Sequence, residues 1–392
     1  MLQDESRTAS YIRALEAARS AIEGKVVMDV GAGTGILSAV CARLGARRVY
    51  AVEASSIAGD TEQVMRDNGL DAVVTVLNTR VEDLEFLPDY PRSVGGSGGG
   101  GGGGGSGNRQ VVDVIVSEWM GTLLVAESMM QSVLYARNTW LRGYCEEREG
   151  GGAKGKGVII PSVAELYLAP ISASQYLGQH LRYWDSKPYG IDLSAVKSRG
   201  EATFVERPVH SEVVSAEQLF GRVGGGGGGD DSEGGIAAAA ASAAAATAAT
   251  ATATTTTTSL PPQTPAAAKL VASFDLADAR ATPPTVADNF GAEFCFRFRR
   301  GARAVDGFVA WFDVRLYGDV TLSTSPLAPS THWRQAQLLY PEPLVGEEKG
   351  EAEAEGELKG KIAVVRNAKW PRHYEVAVEV DGQGQRRWKM WR

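Results

Sequence analysis

The chain has 392 residues, 44% of them apolar, and a formal net charge of -7. That length allows two domains and at least one large core; the acidic balance argues against nucleic acid as the main partner and suits a basic protein substrate. No apolar run is long enough to span a membrane, and the start MLQDESRTAS shows no signal pattern. Cys41, Cys145 and Cys295 form no CxxC pair, so the sequence suggests neither a disulfide framework nor a zinc site and fits a reducing intracellular compartment.

In chain order, Tyr11 to Ile22 has helical spacing, and Lys25 to Val30 is a short buried-strand run ending in Gly31-Ala-Gly-Thr-Gly35. Ile36 to Leu44 reads as a helix, and Arg48 to Val52, Val73 to Leu77 and Val111 to Val116 as strands. Strands alternating with helices predict a parallel sheet covered on both faces, an α/β Rossmann-like domain over residues 1–160. After Pro161 come strand-like segments with few helices between them: Val163 to Ala169, Glu293 to Arg299, Gly307 to Leu316, Gln337 to Leu339, Lys361 to Arg366 and Tyr374 to Val380. Residues 161–392 therefore read as a mostly antiparallel β domain, with Gln175 to Ser198 as a partly helical exception. Four stretches are low in complexity: 95–107, 149–157, 224–268 and 346–360. Such compositions bury too little apolar surface to offset their ordering entropy. The first three read as loop expansions, and the last as a flexible acidic loop between strands.

Chemistry gathers at the strand ends. Asp29-Val-Gly-Ala-Gly-Thr-Gly-Ile-Leu is a strand, a glycine turn and a helix start, and glycines there let the backbone approach a ligand closely. The spacing is GxGxG, with Ile36 where a dinucleotide fingerprint needs its third glycine, so a cofactor without a pyrophosphate fits better. Glu53 ends the next strand, where a carboxylate can accept both hydroxyls of an adenosine ribose. Glu82 or Asp83, after the third strand, reaches the adenine amino group if strand ends converge on one crevice; taken alone, either is an ordinary surface carboxylate. After the fourth strand comes Ser117-Glu-Trp-Met-Gly-Thr-Leu-Leu-Val-Ala-Glu-Ser-Met, in which Glu118 and Glu127 bracket an apolar loop. Acids are seldom buried without a partner, and a guanidinium offers planar donors to two carboxylates. The bland alternative is a helix-capping Glu118 and a solvated Glu127.

These segments, together with Thr331-His-Trp, resemble the protein arginine N-methyltransferase family. The Ser117 to Met129 loop matches that family's double-glutamate loop, SExMGxxLxxExM, at each fixed position, and Thr331-His332-Trp333 resembles the loop of its type I members, which make ω-monomethyl and asymmetric dimethylarginine. The resemblance implies S-adenosyl-L-methionine as cofactor. It implies that Arg7 pairs with the cofactor's methionine carboxylate, that Asp29, Gly31, Gly33 and Gly35 line its turn, and that Glu53 holds ribose and Glu82 the adenine side. It further implies that Glu118 and Glu127 hold the substrate guanidinium, that His332 pairs with Asp4 and closes the pocket, and that Met129 and Trp333 lie on the substrate side. Four scattered histidines suggest no metal site.

By the same resemblance, Pro161 marks the junction to a β-barrel and residues 176–196 form an arm reaching a second subunit of a homodimer. Gly307 to Gln335 looks closest to the family's sixth branch, implying arginine-containing substrates such as histones and Gly/Arg-rich proteins, and a nuclear or cytoplasmic place of action. No direct nucleic-acid or membrane binding is expected. The family's N-terminal helical segment has no counterpart before Met1, so an alternative is a catalytically impaired scaffold of the same family that binds arginine or dimerises with an active relative. A methyltransferase of the same fold acting on small molecules or nucleic acid would leave the paired glutamates unexplained.

Overall fold

In the computed structural model the described residues are 2–90, 111–144, 156–204, 206–209, 214–215, 218–219, 268–283, 285–299, 304–344, 347–348 and 355–390. The expected inserts at 95–107, most of 149–157 and nearly all of 224–268 lie outside them.

The first helix, α1 (Glu5–Ala17), begins six residues before the apolar spacing does, because the Asp4 side chain accepts a hydrogen bond from the Arg7 backbone N–H and caps it. After α2 (Arg19–Ile22) the chain alternates: β1 (Val26–Val30), α3 (Ile36–Arg43), β2 (Arg48–Val52), α4 (Ala58–Asp67) and β3 (Val74–Leu77). Then come β4 (Val114–Val116), α5 (Met129–Trp140) and β5 (Val158–Ile160). The five strands form one sheet in the order β3-β2-β1-β4-β5, parallel throughout. Such a sheet must be covered on both faces. Val26, Val27, Met28, Val49, Tyr50, Val114 and Ile115 are accordingly fully buried, and each aliphatic side chain among them contributes about 1.5–3 kcal/mol. The strand expected from Val111 is shorter, since Val112 instead bridges to Leu141 after α5.

Beyond the Ile160–Pro161 bond lie β6 (Val163–Ile171), α6 (Ser174–Leu181) and α7 (Lys197–Phe204), with three short 3-10 turns between the helices. The strands that follow are β7 (Lys269–Asp275), β8 (Asn289–Arg299), β9 (Val305–Tyr317), β10 (Val320–Ser323), β11 (Ala336–Leu344), β12 (Glu347–Glu348), β13 (Glu355–Arg366), β14 (Tyr374–Val380) and β15 (Gly384–Lys389). They make two sheets, β10-β9-β6-β7 with β11 on β9, and β12-β13-β14-β15 with β8 on β13. Every pairing is antiparallel.

One expectation needs correction here, and three strands were not expected. The acidic stretch 346–360 is not a loop throughout: β12 and the start of β13 lie within it and pair with each other, and β13 also pairs with β8. Glu357 in it takes Arg297 across the sheet at 3.0 Å and Lys359, two residues along the same strand, at 2.9 Å. The strands β7, β10 and β15 carry weak sequence signals. In β15 only Trp388 is buried, so pairing with β14, rather than an apolar pattern, makes it a strand.

The two halves share one apolar core. Arg137 on α5 is fully buried and donates to the carbonyls of Leu276 and Thr282, both at 2.9 Å, tying the parallel domain to the turn after β7. Among the described residues no helix is long and apolar enough to cross a membrane.

Candidate active site

The sheet order places β1 where the chain turns from building one side to building the other, and in such sheets ligands bind beyond the carboxyl ends of the strands at that switch point. The glycine turn leaves β1 there. Gly31, Gly33 and Gly35 have φ of 75°, 55° and 79°, left-handed values that glycine takes without steric cost. A Cβ on Gly31 would lie 2.7 Å from Met129 Cε, so Met129 rests on the turn, whereas space is open beside Gly33.

Two acids frame the turn. Asp29 is buried: Oδ2 accepts from the Ser38 hydroxyl at 2.7 Å, and Oδ1 has no partner. Burial lifts its carboxyl to about 6 despite the Ser38 contact. Glu53, just after β2, accepts from the backbone N–H of Gly33 at 2.9 Å and of Ser55 at 2.8 Å. Burial alone would raise it, but the hydrogen bonds from Ser55, Gly33 and Ala54 outweigh burial and hold it below the usual range. Glu82 sits in the 3-10 turn Val81–Asp83 and accepts from the Ser132 hydroxyl of α5 at 2.6 Å, which ties β3's end to that helix. An open glycine turn, an orphaned buried acceptor and an ionised acid after the next strand fit a nucleoside-bearing cofactor.

The double-glutamate loop leaves β4. Ser117 fixes its start by donating to the Val30 carbonyl at 2.6 Å. The loop then bends tightly: Gly121 accepts no side chain, because a Cβ there would lie 2.0 Å from the Ala126 carbonyl oxygen. Leu123, Leu124, Glu127 and Ser128 all have left-handed φ, between 53° and 77°. Non-glycine residues in that region cost about 1–3 kcal/mol each and persist where surrounding packing over-determines them; Leu123 and Leu124 are buried.

The two glutamates that the loop carries are not equivalent. The Glu118 side chain is only 9% exposed, with Oε2 2.8 Å from Arg7 Nη1. Its Oε1 is buried with no hydrogen bond. Burial pushes the Glu118 carboxyl up to about 7; Arg7 opposes this, and the charges of Glu127 and Asp4 add to it. Glu127 is not in the dry environment expected for it. Its side chain is 65% exposed and meets Arg372 Nη2 at 3.4 Å. The left-handed turn at Glu127 directs it outward, and its backbone N–H donates to the Arg372 carbonyl at 3.1 Å.

The barrel closes one side. His332 Nδ1 lies 2.7 Å from Asp4 Oδ2, and the His332 backbone N–H donates to the same oxygen at 2.8 Å. Burial would raise Asp4, but these bonds and the one from the Arg7 N–H leave it lowered, hence ionised. Trp333 Nε1 donates to the Met120 carbonyl at 2.9 Å, bolting the Thr331-His-Trp loop to the double-glutamate loop. Tyr11 does the same from α1, donating to the Ser117 carbonyl at 2.9 Å.

The site residues therefore converge from α1, four strand ends and the barrel, with Arg7 on Glu118. Its Nη2 also donates to Thr8 at 3.4 Å, and a guanidinium has five donors, so a second carboxylate can join it. Sequence reading missed Tyr11, Arg137 and Arg372. Arg137 was detectable as a charge on the apolar stripe Met130, Val133, Leu134, Arg137; Arg372 carries no local signal. Among the described residues no group of His, Cys, Asp and Glu is placed to hold a metal ion.

A Rossmann-like parallel domain whose glycine turn fits a nucleoside-bearing cofactor, joined to an antiparallel β domain that completes the site, defines the class. Family comparison narrows it. Residues 235–385 match the arginine methyltransferase oligomerization subdomain, and residues 6–86 match ribosomal protein L11 methyltransferase. Protein arginine N-methyltransferase 6 of Xenopus tropicalis is 32% identical over 399 residues, covering 100% of this chain and 90% of that protein. A probable protein arginine N-methyltransferase 6 of Arabidopsis thaliana is 41% identical over 219 residues, which are 56% of this chain and 42% of that longer protein. The solved structure of PRMT6 with SAH superposes with a TM-score of 0.64 at 26% identity, covering 97% of this chain and 98% of that one. The chain belongs to the protein arginine N-methyltransferase family.

Proposed function

We propose that the protein is a type I arginine methyltransferase, using S-adenosyl-L-methionine to make ω-monomethyl and asymmetric dimethylarginine on protein substrates. The observation that carries this reading is Glu118: a buried carboxylate with one oxygen on a guanidinium of its own chain and the other unsatisfied, in a strained loop beside the glycine turn. An unpaired buried acceptor costs about 1–3 kcal/mol, and it is relieved by an N–H donor such as a substrate guanidinium supplies. SAH in the related PRMT6 structure supports the cofactor.

In this reading Asp29, Gly31, Gly33, Gly35, Glu53 and Glu82 hold the cofactor, and Arg7 holds its carboxylate from the Glu118 side. The cofactor supplies a methyl group on a sulfonium, electrophilic enough for a weak nucleophile. Arginine is such a nucleophile, its charge being delocalised and its pKa above about 12. Glu118 and Glu127 hold positive charge on the nitrogens facing them, which leaves the remaining terminal nitrogen free to react. Alignment of that kind can supply about 7–11 kcal/mol. His332, oriented by ionised Asp4, or Glu127 takes the proton released from the product. Met129 and Trp333 line the substrate side.

Substrates in this reading are arginine-rich tails, histones and Gly/Arg-rich proteins among them, and the place of action is the nucleus, the cytoplasm or both. The acidic chain and the likeness to the sixth branch support the substrate class; the match to an oligomerization subdomain supports a homodimer. The test is incubation with labelled S-adenosyl-L-methionine and histone or Gly/Arg-rich peptides, with mass spectrometry of the product. Asymmetric dimethylarginine is expected. Symmetric dimethylarginine would overturn the type I reading, and no transfer by a folded sample would favour the scaffold.

A further inference from the structure

Each of the two clamp glutamates already holds a guanidinium of this chain, one from each domain. Arg7 on Glu118 comes from α1. Arg372 on Glu127 comes from the turn between β13 and β14, 245 residues away. The two pairs differ in kind. Arg7 and Glu118 are both buried, with side chains 8% and 9% exposed. Arg372 and Glu127 are 74% and 65% exposed and touch through one nitrogen at 3.4 Å, so theirs is a weak, solvent-screened contact.

The turn that presents Arg372 is itself well held. Asn367 accepts through its side chain from the backbone N–H groups of Lys369 and Trp370. Arg366 donates to the Pro371 carbonyl at 2.7 Å and to Asp288 at 2.9 Å. Ser128 donates to the Pro371 carbonyl, and the Glu127 N–H to that of Arg372. Backbone contacts thus fix the turn against the loop, and only the Arg372 side chain is loosely engaged.

Resting on the reading of Glu127 as a substrate carboxylate, we propose that Arg372 is an exchangeable internal counter-ion. Its guanidinium occupies Glu127 in the substrate-free enzyme, and the substrate arginine must displace it, so Arg372 sets substrate affinity as a positioning residue. The exchange is near-balanced because like replaces like, and a bidentate substrate contact outcompetes a single exposed one.

The test uses the full chain, a fluorescein-labelled Gly/Arg-rich peptide for affinity by anisotropy, and the same peptide unlabelled for kinetics. Arg372→Ala leaves every backbone contact in place. It should lower Kd and KM for the peptide about 1.5- to 5-fold, the range of an exposed ion pair, with kcat moving less. Arg372→Lys should fall between the parent and the alanine variant, and the difference should shrink at high salt. In a Glu127→Gln background Arg372→Ala should change peptide affinity little, since the partner is gone. An unchanged or raised Kd on Arg372→Ala would overturn the proposal, as would an equal effect in the Glu127→Gln background, which would mean that Arg372 repels cations through the general field. Peptide binding by Glu127→Gln alone as tight as the parent's would instead sink the clamp reading on which the proposal rests.

Discussion

The parallel domain and the barrel contribute to the site in different ways. The parallel domain builds its share from contiguous motifs: strand, glycine turn, helix and the acid after the next strand all lie between Val26 and Glu53. The barrel contributes by reach. His332 meets Asp4 across 328 positions, Trp333 meets Met120 across 213, and Arg372 meets Glu127 across 245. On the proposed reading, the cofactor cradle is thus a local property of the chain, whereas the substrate side is assembled only by contacts between the two halves. The double-glutamate loop sits on the seam, with Glu118 belonging to the first region and Glu127 to the second.

The largest expected effect tests that division directly. Glu118→Gln should lower kcat/KM by two to four orders of magnitude, since loss of one partner of a buried pair costs about 3–5 kcal/mol, while cofactor binding by calorimetry is largely kept. Glu127→Gln, at an exposed position, should act mainly through peptide affinity and turnover without disturbing Arg7. Equal losses with equal damage to cofactor binding would erase the distinction between the two glutamates.

A pH profile comes next. Burial raises the Glu118 carboxyl to about 7 in the substrate-free protein. Below that pH it is neutral and cannot hold a cation; above it the carboxylate is present. The kcat/KM profile, which reports the free enzyme, should therefore rise with pH through about 7, roughly tenfold per unit on its acid side. Glu118→Gln should remove that limb, and a limb that persists in Glu118→Gln would show that Glu118 is not the titrating group.

The smallest effect concerns the seam. Trp333→Phe keeps a ring against Phe312 and His332 but loses the hydrogen bond to Met120. That bond is worth about 0.5–1.5 kcal/mol, so kcat/KM should fall several-fold with peptide turnover more affected than cofactor affinity. Unchanged kinetics would mean that the barrel loop does not position the double-glutamate loop.

Some of this architecture can be read from local patterns. The glycine spacing, the acid after β2 and the alternation of strand and helix report the cradle because each depends on neighbours within a few residues, whereas the double-glutamate loop is legible through its resemblance to a family pattern. The start of α1 was missed because its cap, Asp4, precedes any apolar periodicity, and β15 because its pairing with β14, not its composition, makes it a strand.

By itself, the sequence determined the α/β class and the glycine turn, since these rest on backbone sterics and short spacings, while the pairing of Glu118 with Glu127 as a motif is what the family resemblance implies. Only the tertiary structure decided that Glu118 is buried against Arg7 with an oxygen to spare, and that Glu127 faces solvent with Arg372 beside it. Burial and charge pairing depend on what packs around a carboxylate. Here the packing comes from α1, 111 positions before Glu118, and from a barrel turn that the chain reaches only after folding.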